Sequence, residues 1–186
     1  MTRWFYRFRG YLAAPPLIFA FFSFSWEVEM DYLTWPFGIS LVFIGMVLRI
    51  WAQQHLHYRL RVHKRLTMTG PYSFVRNPIY IGNALICLGA TVMSELLWLT
   101  PITLIYCWGI YLLTVRYEEA HLLDKYGESY RIYMGKVPRW VPRVSRVSHS
   151  RDIGIIKEYL RQSIVAEIHC FLLVLPFILK EIIDLC

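Results

Sequence analysis

The sequence predicts an all-α fold, an integral-membrane bundle of about five transmembrane helices. Three observations carry that expectation. Of 186 residues, 56% are hydrophobic and 17% aromatic, while only 18% are charged; a soluble domain carries about 45–50% apolar and roughly 25% charged residues. The apolar residues gather into five stretches, each near the roughly 20 residues a helix needs to cross a hydrocarbon core about 30 Å thick. The basic residues, finally, fall on alternate sides of those stretches. The same composition excludes a disordered chain, a collagen-like chain and a small disulfide scaffold.

The first stretch runs from Tyr11 to Trp26 and contains Pro15 and Pro16, so its helix kinks or starts at the prolines. It follows Arg3, Arg7 and Arg9, as a signal peptide would. Phe24-Ser25-Trp26 stands where a small-x-small cleavage site would be, so the helix is read as retained. The second stretch covers Leu33 to Ala52. The third, Ile79 to Ser94, is short, and the fourth runs from Leu96 to Tyr117. Ser94-Glu95 and Thr100-Pro101 are the only break between those two, which predicts a tight helical hairpin. The fifth, Ile164 to Ile183, contains Glu167 and His169, ionisable groups that face other helices or mark a shallow start.

Net charge is +7, with 20 Lys and Arg against 13 Asp and Glu. Three basic residues precede the first stretch, six lie between the second and third when Arg49 at the boundary is counted, and ten run from Arg116, at the end of the fourth, to Arg161 before the fifth. Only Lys180 remains. Glu27, Glu29, Asp31 and Glu95 occupy the alternate side. Because Lys and Arg concentrate on the cytoplasmic side, the N-terminus is expected in the cytoplasm and the C-terminus outside. The run Arg139, Arg143, Arg146 and Arg151 interleaves with Val and Ser, a pattern suited to anionic lipid rather than nucleic acid. The tyrosines and tryptophans can serve as interfacial belts.

Two cytoplasmic segments carry the chemistry. In the first, Gly70-Pro71 marks a turn, and Asn77 and Pro78 read as N-cap and first helical position of the third helix. Its free backbone N–H groups, beside Arg76, offer a place for a carboxylate or other anion. The plain alternative is a well-capped helix with an interfacial Tyr and an Arg anchor. In the second, Leu122, Leu123 and Tyr126 follow Glu119 at helical spacing, so the fourth helix continues as an amphipathic one capped at Gly127. Glu118 and Glu119, adjacent carboxylates at a membrane boundary, need cations. Arg116 or the basic loop could supply them structurally, or one acid could bind the ammonium or hydroxyls of a ligand.

No metal site is expected. His55, His57 and His63 lack a completing ligand pair and are read as residues of an interfacial loop, with His57 near a bound ligand. Cys87, Cys107 and Cys170 read as small packing residues within helices, and Cys186 lacks the three following residues of a prenylation box.

The ordered set Gly70-Pro-Tyr72, Arg76-Asn-Pro-Ile-Tyr80 with Gly82, Glu118-Glu119, Tyr126-Gly-Glu-Ser-Tyr130-Arg-Ile-Tyr133 and Val137-Pro138 resembles integral-membrane methyltransferases. The resemblance is to the isoprenylcysteine carboxyl methyltransferases and the phospholipid N-methyltransferases, and it covers about Leu41 to Pro142. It implies an S-adenosylmethionine site on the cytoplasmic side, built from helix ends; no G-x-G-x-x-G marks a Rossmann site. By similarity, the cofactor residues would be Lys64, Arg65, Leu66, Thr67, Tyr72, Asn77, Pro78, Ile79, Tyr80 and Glu118. Arg116, orienting a carboxylate acceptor, and Glu119, taking a proton from an amine, would be the catalytic candidates. Asn77, where carboxyl methyltransferases usually have His, and Tyr117-Glu118-Glu119 resemble the phospholipid N-methyltransferases, whereas Gly70-Pro-Tyr72 and the Val-Pro ending resemble the carboxyl methyltransferases, whose substrate-contacting arginine would align with Thr114.

The expected organisation is one membrane domain. Residues 1–40 form the N-terminal helix and outer loop, 41–142 the methyltransferase-like core, 143–163 a basic linker and 164–186 the C-terminal helix. The expected reaction is methyl transfer from S-adenosylmethionine to a lipophilic or lipidated acceptor, either an isoprenylcysteine-type carboxylate or a related lipid or thiol. The alternatives are a phospholipid amine acceptor, a non-catalytic membrane protein that binds a lipid or partner, and a small transporter. The second to fourth stretches lack the midplane ionisable groups of a transporter.

Overall fold

A computed structural model describes residues 14–23, 30–58, 66–143, 159–165, 167 and 175–184. Among these residues the regular structure is all helical. The order is α1 (Ala14–Phe22), α2 (Asp31–Tyr58), a 3-10 turn (Gly70–Ser73), α3 (Pro78–Met93), α4 (Leu99–Tyr126), α5 (Glu128–Lys136) and α6 (Leu175–Asp184). Residues 159–165 are helical too.

Among the described residues, α2 and α4 are long and apolar enough to cross a membrane, and α3 is a shorter apolar helix. At 28 residues each, α2 and α4 extend about 42 Å. Both outrun their apolar stretches, because helix continues into the polar segments Gln53–Tyr58 and Arg116–Tyr126. His55 and His57 therefore stand in the last turns of α2 rather than in a loop. The reason is that tertiary packing holds these turns; His63 and His169 lie outside the described residues. Of the first and last apolar stretches, the described helical parts are α1, residues 164, 165 and 167, and α6, while residues 159–163, expected in the basic linker, are helical as well.

Two glycine pairs explain how closely α2 and α3 approach. A Cβ on Gly45 would lie 2.7 Å from the Gly82 carbonyl oxygen, and one on Gly82 would lie 2.8 Å from that of Gly45. Gly38 and Gly89 repeat the contact one heptad away. The pairing runs 38 with 89 and 45 with 82, so the helices are antiparallel. Small residues at such crossings let backbones touch where no hydrophobic driving force separates helix from lipid. Val42, Met46, Ile86, Ala90 and Met93 fill the seam, and Ala20 of α1 and Phe177 of α6 close it.

The α3–α4 hairpin forms at the predicted break. Glu95 takes a positive φ of 62° there. Expected on a polar outer side, Glu95 is buried instead, and accepts a 2.6 Å hydrogen bond from Thr34. Lys180 is buried nearby, donating to the carbonyls of Ser94 and Ala20. At the other end of the seam, Arg49 makes a two-pronged ion pair with Glu167, at 2.7 and 2.9 Å, and Gln53 also bonds that carboxylate. Removing one partner of such a buried pair strands the other. These contacts give the C-terminal segment a structural task that the sequence pattern did not reveal.

Gly127 (φ 54°) ends α4, its N–H bonding to the Leu123 carbonyl, and starts α5. Beyond α5 the chain returns as a strap, Val137–Arg143. Arg76 N–H donates to the Pro138 carbonyl at 2.9 Å, and Arg143 N–H to that of Phe74 at 3.0 Å. The strap thus binds the α4–α5 unit to the start of α3.

Candidate functional site

The C-terminal end of α2, the N-terminal end of α3 and the C-terminal end of α4 lie at one end of the bundle. They border an open cleft whose water-accessible space is about 110 Å³. The 3-10 turn and α5 complete its walls.

Each element delivers its residues for a local reason. The turn is fixed by Phe74 and Val75 N–H groups on the Pro71 carbonyl, and by Ser73 Oγ on that of Gly70. It presents Tyr72, whose carbonyl accepts a 2.7 Å hydrogen bond from Tyr133 Oη. Pro78, with no N–H to leave unpaired, opens α3 as expected. Asn77 occupies the N-cap position, but its side chain makes no capping bond. It reaches the Arg139 carbonyl instead, at 3.4 Å, and Glu119 at 3.5 Å. The strap has captured the amide, so the first N–H groups of α3 stay available to a ligand.

Of the residues singled out in the sequence, Leu66, Thr67, Tyr72, Asn77, Pro78, Ile79, Tyr80 and Glu118 line this one cleft. Lys64 and Arg65 lie outside the described residues. Tyr80 Oη donates to Glu118 Oε2 at 2.7 Å, joining α3 to α4 across the floor. Arg116 and Glu119 are not brought to the lining. Arg116 is exposed on the outer side of α4. Glu119 is buried behind the wall, with Arg139 Nη2 at 2.5 Å and Arg76 Nη1 at 3.2 Å. Held by these two guanidiniums and set off the lining, Glu119 ties the strap to the start of α3. The pairing also holds Arg139 above its ordinary pKa, through the hydrogen bond to Glu119.

Sequence reasoning missed Leu56, Leu122, Tyr126, Tyr130 and Tyr133 as lining residues, while Arg76, read either as an anchor or as part of an anion site, does line the cleft. A signal was available. Leu122 and Tyr126 follow Glu118, not Glu119, at i+4 and i+8, so the cleft face of α4 is the Glu118 face. Tyr130 and Tyr133 needed the turn at Gly127, which tertiary packing sets.

The cleft has a definite chemistry. Arg76 and the α3 N-terminus supply positive potential on one side, and Glu118 negative on the other. Burial pushes the phenols of Tyr72, Tyr130 and Tyr133 upward, assisted at Tyr72 by Glu118, at Tyr130 by Glu119 and at Tyr133 by Tyr130. They remain neutral donors whose ring faces attract cations. Among the described residues, nothing bonds the buried Arg76 Nε or Thr67 Oγ1; buried polar atoms left so are poised for a polar ligand.

Behind Tyr80 lies a second open space, of about 220 Å³, between α3 and α4. Its wall is entirely apolar: Ile81, Ala84, Leu85 and Leu88 from α3, Leu104 and Trp108 from α4, the rings of Tyr80 and Tyr111, and Trp140 from the strap. Tyr80 lines both spaces.

The family profile described as phospholipid methyltransferase matches residues 33–129, just over half of the chain. The cobalt-zinc-cadmium resistance protein CzcN of Cupriavidus metallidurans is 32% identical over 58% of this chain and 47% of its own length. The nickel-cobalt-cadmium resistance protein NccN of Alcaligenes xylosoxydans is 30% identical over 58% and 48%. The protein-S-isoprenylcysteine O-methyltransferase of Schizosaccharomyces pombe is 30% identical over 42% and 34%. The chain thus spans under half the length of these curated relatives. No solved structure matches.

Proposed function

The chain belongs to the phospholipid methyltransferase family, and from that premise we propose that it transfers a methyl group from S-adenosylmethionine to a lipophilic acceptor within a membrane. The observation that carries this reading is Tyr80, one ring shared by a polar cleft and an apolar groove. A water-soluble donor and a hydrocarbon-bearing acceptor meet only where such compartments join.

The polar cleft fits the donor. Arg76 and the α3 N-terminus would hold its carboxylate, Glu118 its ammonium or ribose hydroxyls, and Thr67 a further polar atom. Bound there, S-adenosylmethionine supplies an electrophilic methyl on a sulfonium, a cation that the tyrosine faces would attract. This chain's residues then position the partners and exclude water. The groove would take the acceptor's hydrocarbon, its reacting atom at the Tyr80 end.

An amine acceptor is favoured over a carboxylate, because no cationic side chain lines the apolar groove among the described residues. Thr114, where the carboxyl methyltransferases carry an arginine, is buried with its hydroxyl on its own helix, at the Ile110 carbonyl. In the bilayer, five spans with a cytoplasmic N-terminus and an outer C-terminus put the cleft on the cytoplasmic side, beside Arg76, Arg131 and Arg139.

The test is reconstitution in vesicles with methyl-labelled S-adenosylmethionine and, separately, phosphatidylethanolamine or a farnesylcysteine carboxylate. Label in phosphatidylethanolamine supports the amine reading, and label in the farnesylcysteine the carboxylate one. Donor binding with label in neither would favour a non-catalytic lipid-binding protein.

A further inference from the structure

The turn that presents Tyr72 rests on α2, and His55 forms its seat. The imidazole is buried, 8% exposed, with Nδ1 3.0 Å from Thr69 Oγ1. Its ring fills the space a side chain at position 70 would need: a Cβ on Gly70 would lie 2.4 Å from both Cδ2 and Nε2. Gly70 also has a φ of 61°, which strains any residue with a side chain. One turn earlier, Trp51 meets the His55 ring edge-on, with centroids 6.4 Å apart, and the Phe74 ring at 6.3 Å. A single face of α2 therefore holds Thr69 and Phe74, the residues flanking the turn. Between them stands Tyr72, and on the next position of α2 stands Leu56, both in the cleft lining.

We propose that His55 is a positioning residue of the donor cleft: from α2 it fixes the Thr69–Phe74 turn, and so the placement of Tyr72, without lining the cleft itself. The inference rests on the cleft's reading as the donor site and deepens it. A ligand that packs on Tyr72 binds more tightly when the turn is ordered beforehand, because binding then need not order it. Without the imidazole, Thr69 loses a partner and the turn loses the surface beneath Gly70. The position could not be read from spacing, since nothing local links residue 55 to a turn fourteen residues on.

The experiment is calorimetric titration of detergent-purified full-length protein with S-adenosylhomocysteine, for wild type, His55→Ala, His55→Asn, Thr69→Val, Gly70→Ala and His55→Ala/Gly70→Ala, with melting curves in parallel. His55→Ala is expected to weaken affinity about five- to tenfold, the range of one lost hydrogen bond. His55→Asn, whose amide can meet Thr69 as Nδ1 does, is expected to recover most of it. Rescue of affinity by Asn separates positioning from simple loss of packing, which a short amide would not restore. Gly70→Ala weakens binding as well, and less so on the His55→Ala background, where the clashing ring is gone. Wild-type affinity in His55→Ala overturns the inference. Should His55→Ala fail to fold, unchanged affinity in Thr69→Val overturns it from the turn side. A folded wild type that does not bind overturns the donor-site reading instead, a different signature from binding that ignores His55.

Discussion

Replacing Glu119 by Gln should cost about 3 kcal/mol of stability, because the carboxylate serves two guanidiniums. Its side chain is 7% exposed, against 12% for Arg76 and 32% for Arg139. Removing one partner of a buried ion pair costs about 3–5 kcal/mol, most of it from the charge left behind. Arg139, a third exposed, can turn to water and recover part of that loss. Arg76, only 12% exposed, keeps its share of the loss, and with Arg139 relieved the low end of the range applies. For a chain of this size the change corresponds to a melting shift of roughly 6–12 °C. Thermal melting in detergent measures it. Arg139→Ala should cost less than Glu119→Gln, since Arg76 still neutralises Glu119, and the double variant should match Glu119→Gln alone. The reasoning fails if Glu119→Gln melts within 1 °C of wild type, or if Arg139→Ala costs more.

Gly82→Ala should destabilise by about 1–3 kcal/mol through overpacking, since its Cβ would lie 2.6 Å from Arg49 Cγ. Gly109→Ala, with nothing within 4 Å, should be neutral or stabilising in the same melting assay. Tyr72, Tyr130 and Tyr133 have raised pKa values. Stability from a raised group is complete below the unfolded tyrosine pKa of about 10 and is lost as pH climbs through the folded value. Melting temperatures should therefore fall above pH 10, less steeply in Tyr72→Phe than in wild type. Arg116→Ala, exposed and off the cleft, should leave S-adenosylhomocysteine affinity within about twofold, as surface changes usually do.

Helix placement was legible where apolar runs and local chemistry agree. The third helix was expected at Ile79–Ser94 and runs Pro78–Met93, because Pro78 and the Ser94-Glu95 break act locally. The amphipathic continuation of α4 to Gly127 could be read from spacing. Eight cleft residues were legible because a resemblance supplied them, whereas Tyr130 and Tyr133 depend on how α5 folds back. Arg116 and Glu119 lie off the lining for one geometric reason. A helix turns about 100° per residue, so only Glu118 of the three faces the cleft. The contact of Thr69 and Gly70 with His55 and the pairing of Glu167 with Arg49 were invisible, being contacts between distant segments that no period encodes.

The central claim, that the cleft between the α3 N-terminus and Glu118 holds the methyl donor, is tested most directly by calorimetric titration of the purified protein with S-adenosylhomocysteine beside Glu118→Ala and Tyr80→Phe. The account predicts saturable binding to wild type, a loss of about tenfold or more in Glu118→Ala, as for a charged hydrogen bond, and a smaller loss in Tyr80→Phe. Undetectable binding by the folded wild type, or equal affinity in Glu118→Ala, would contradict it.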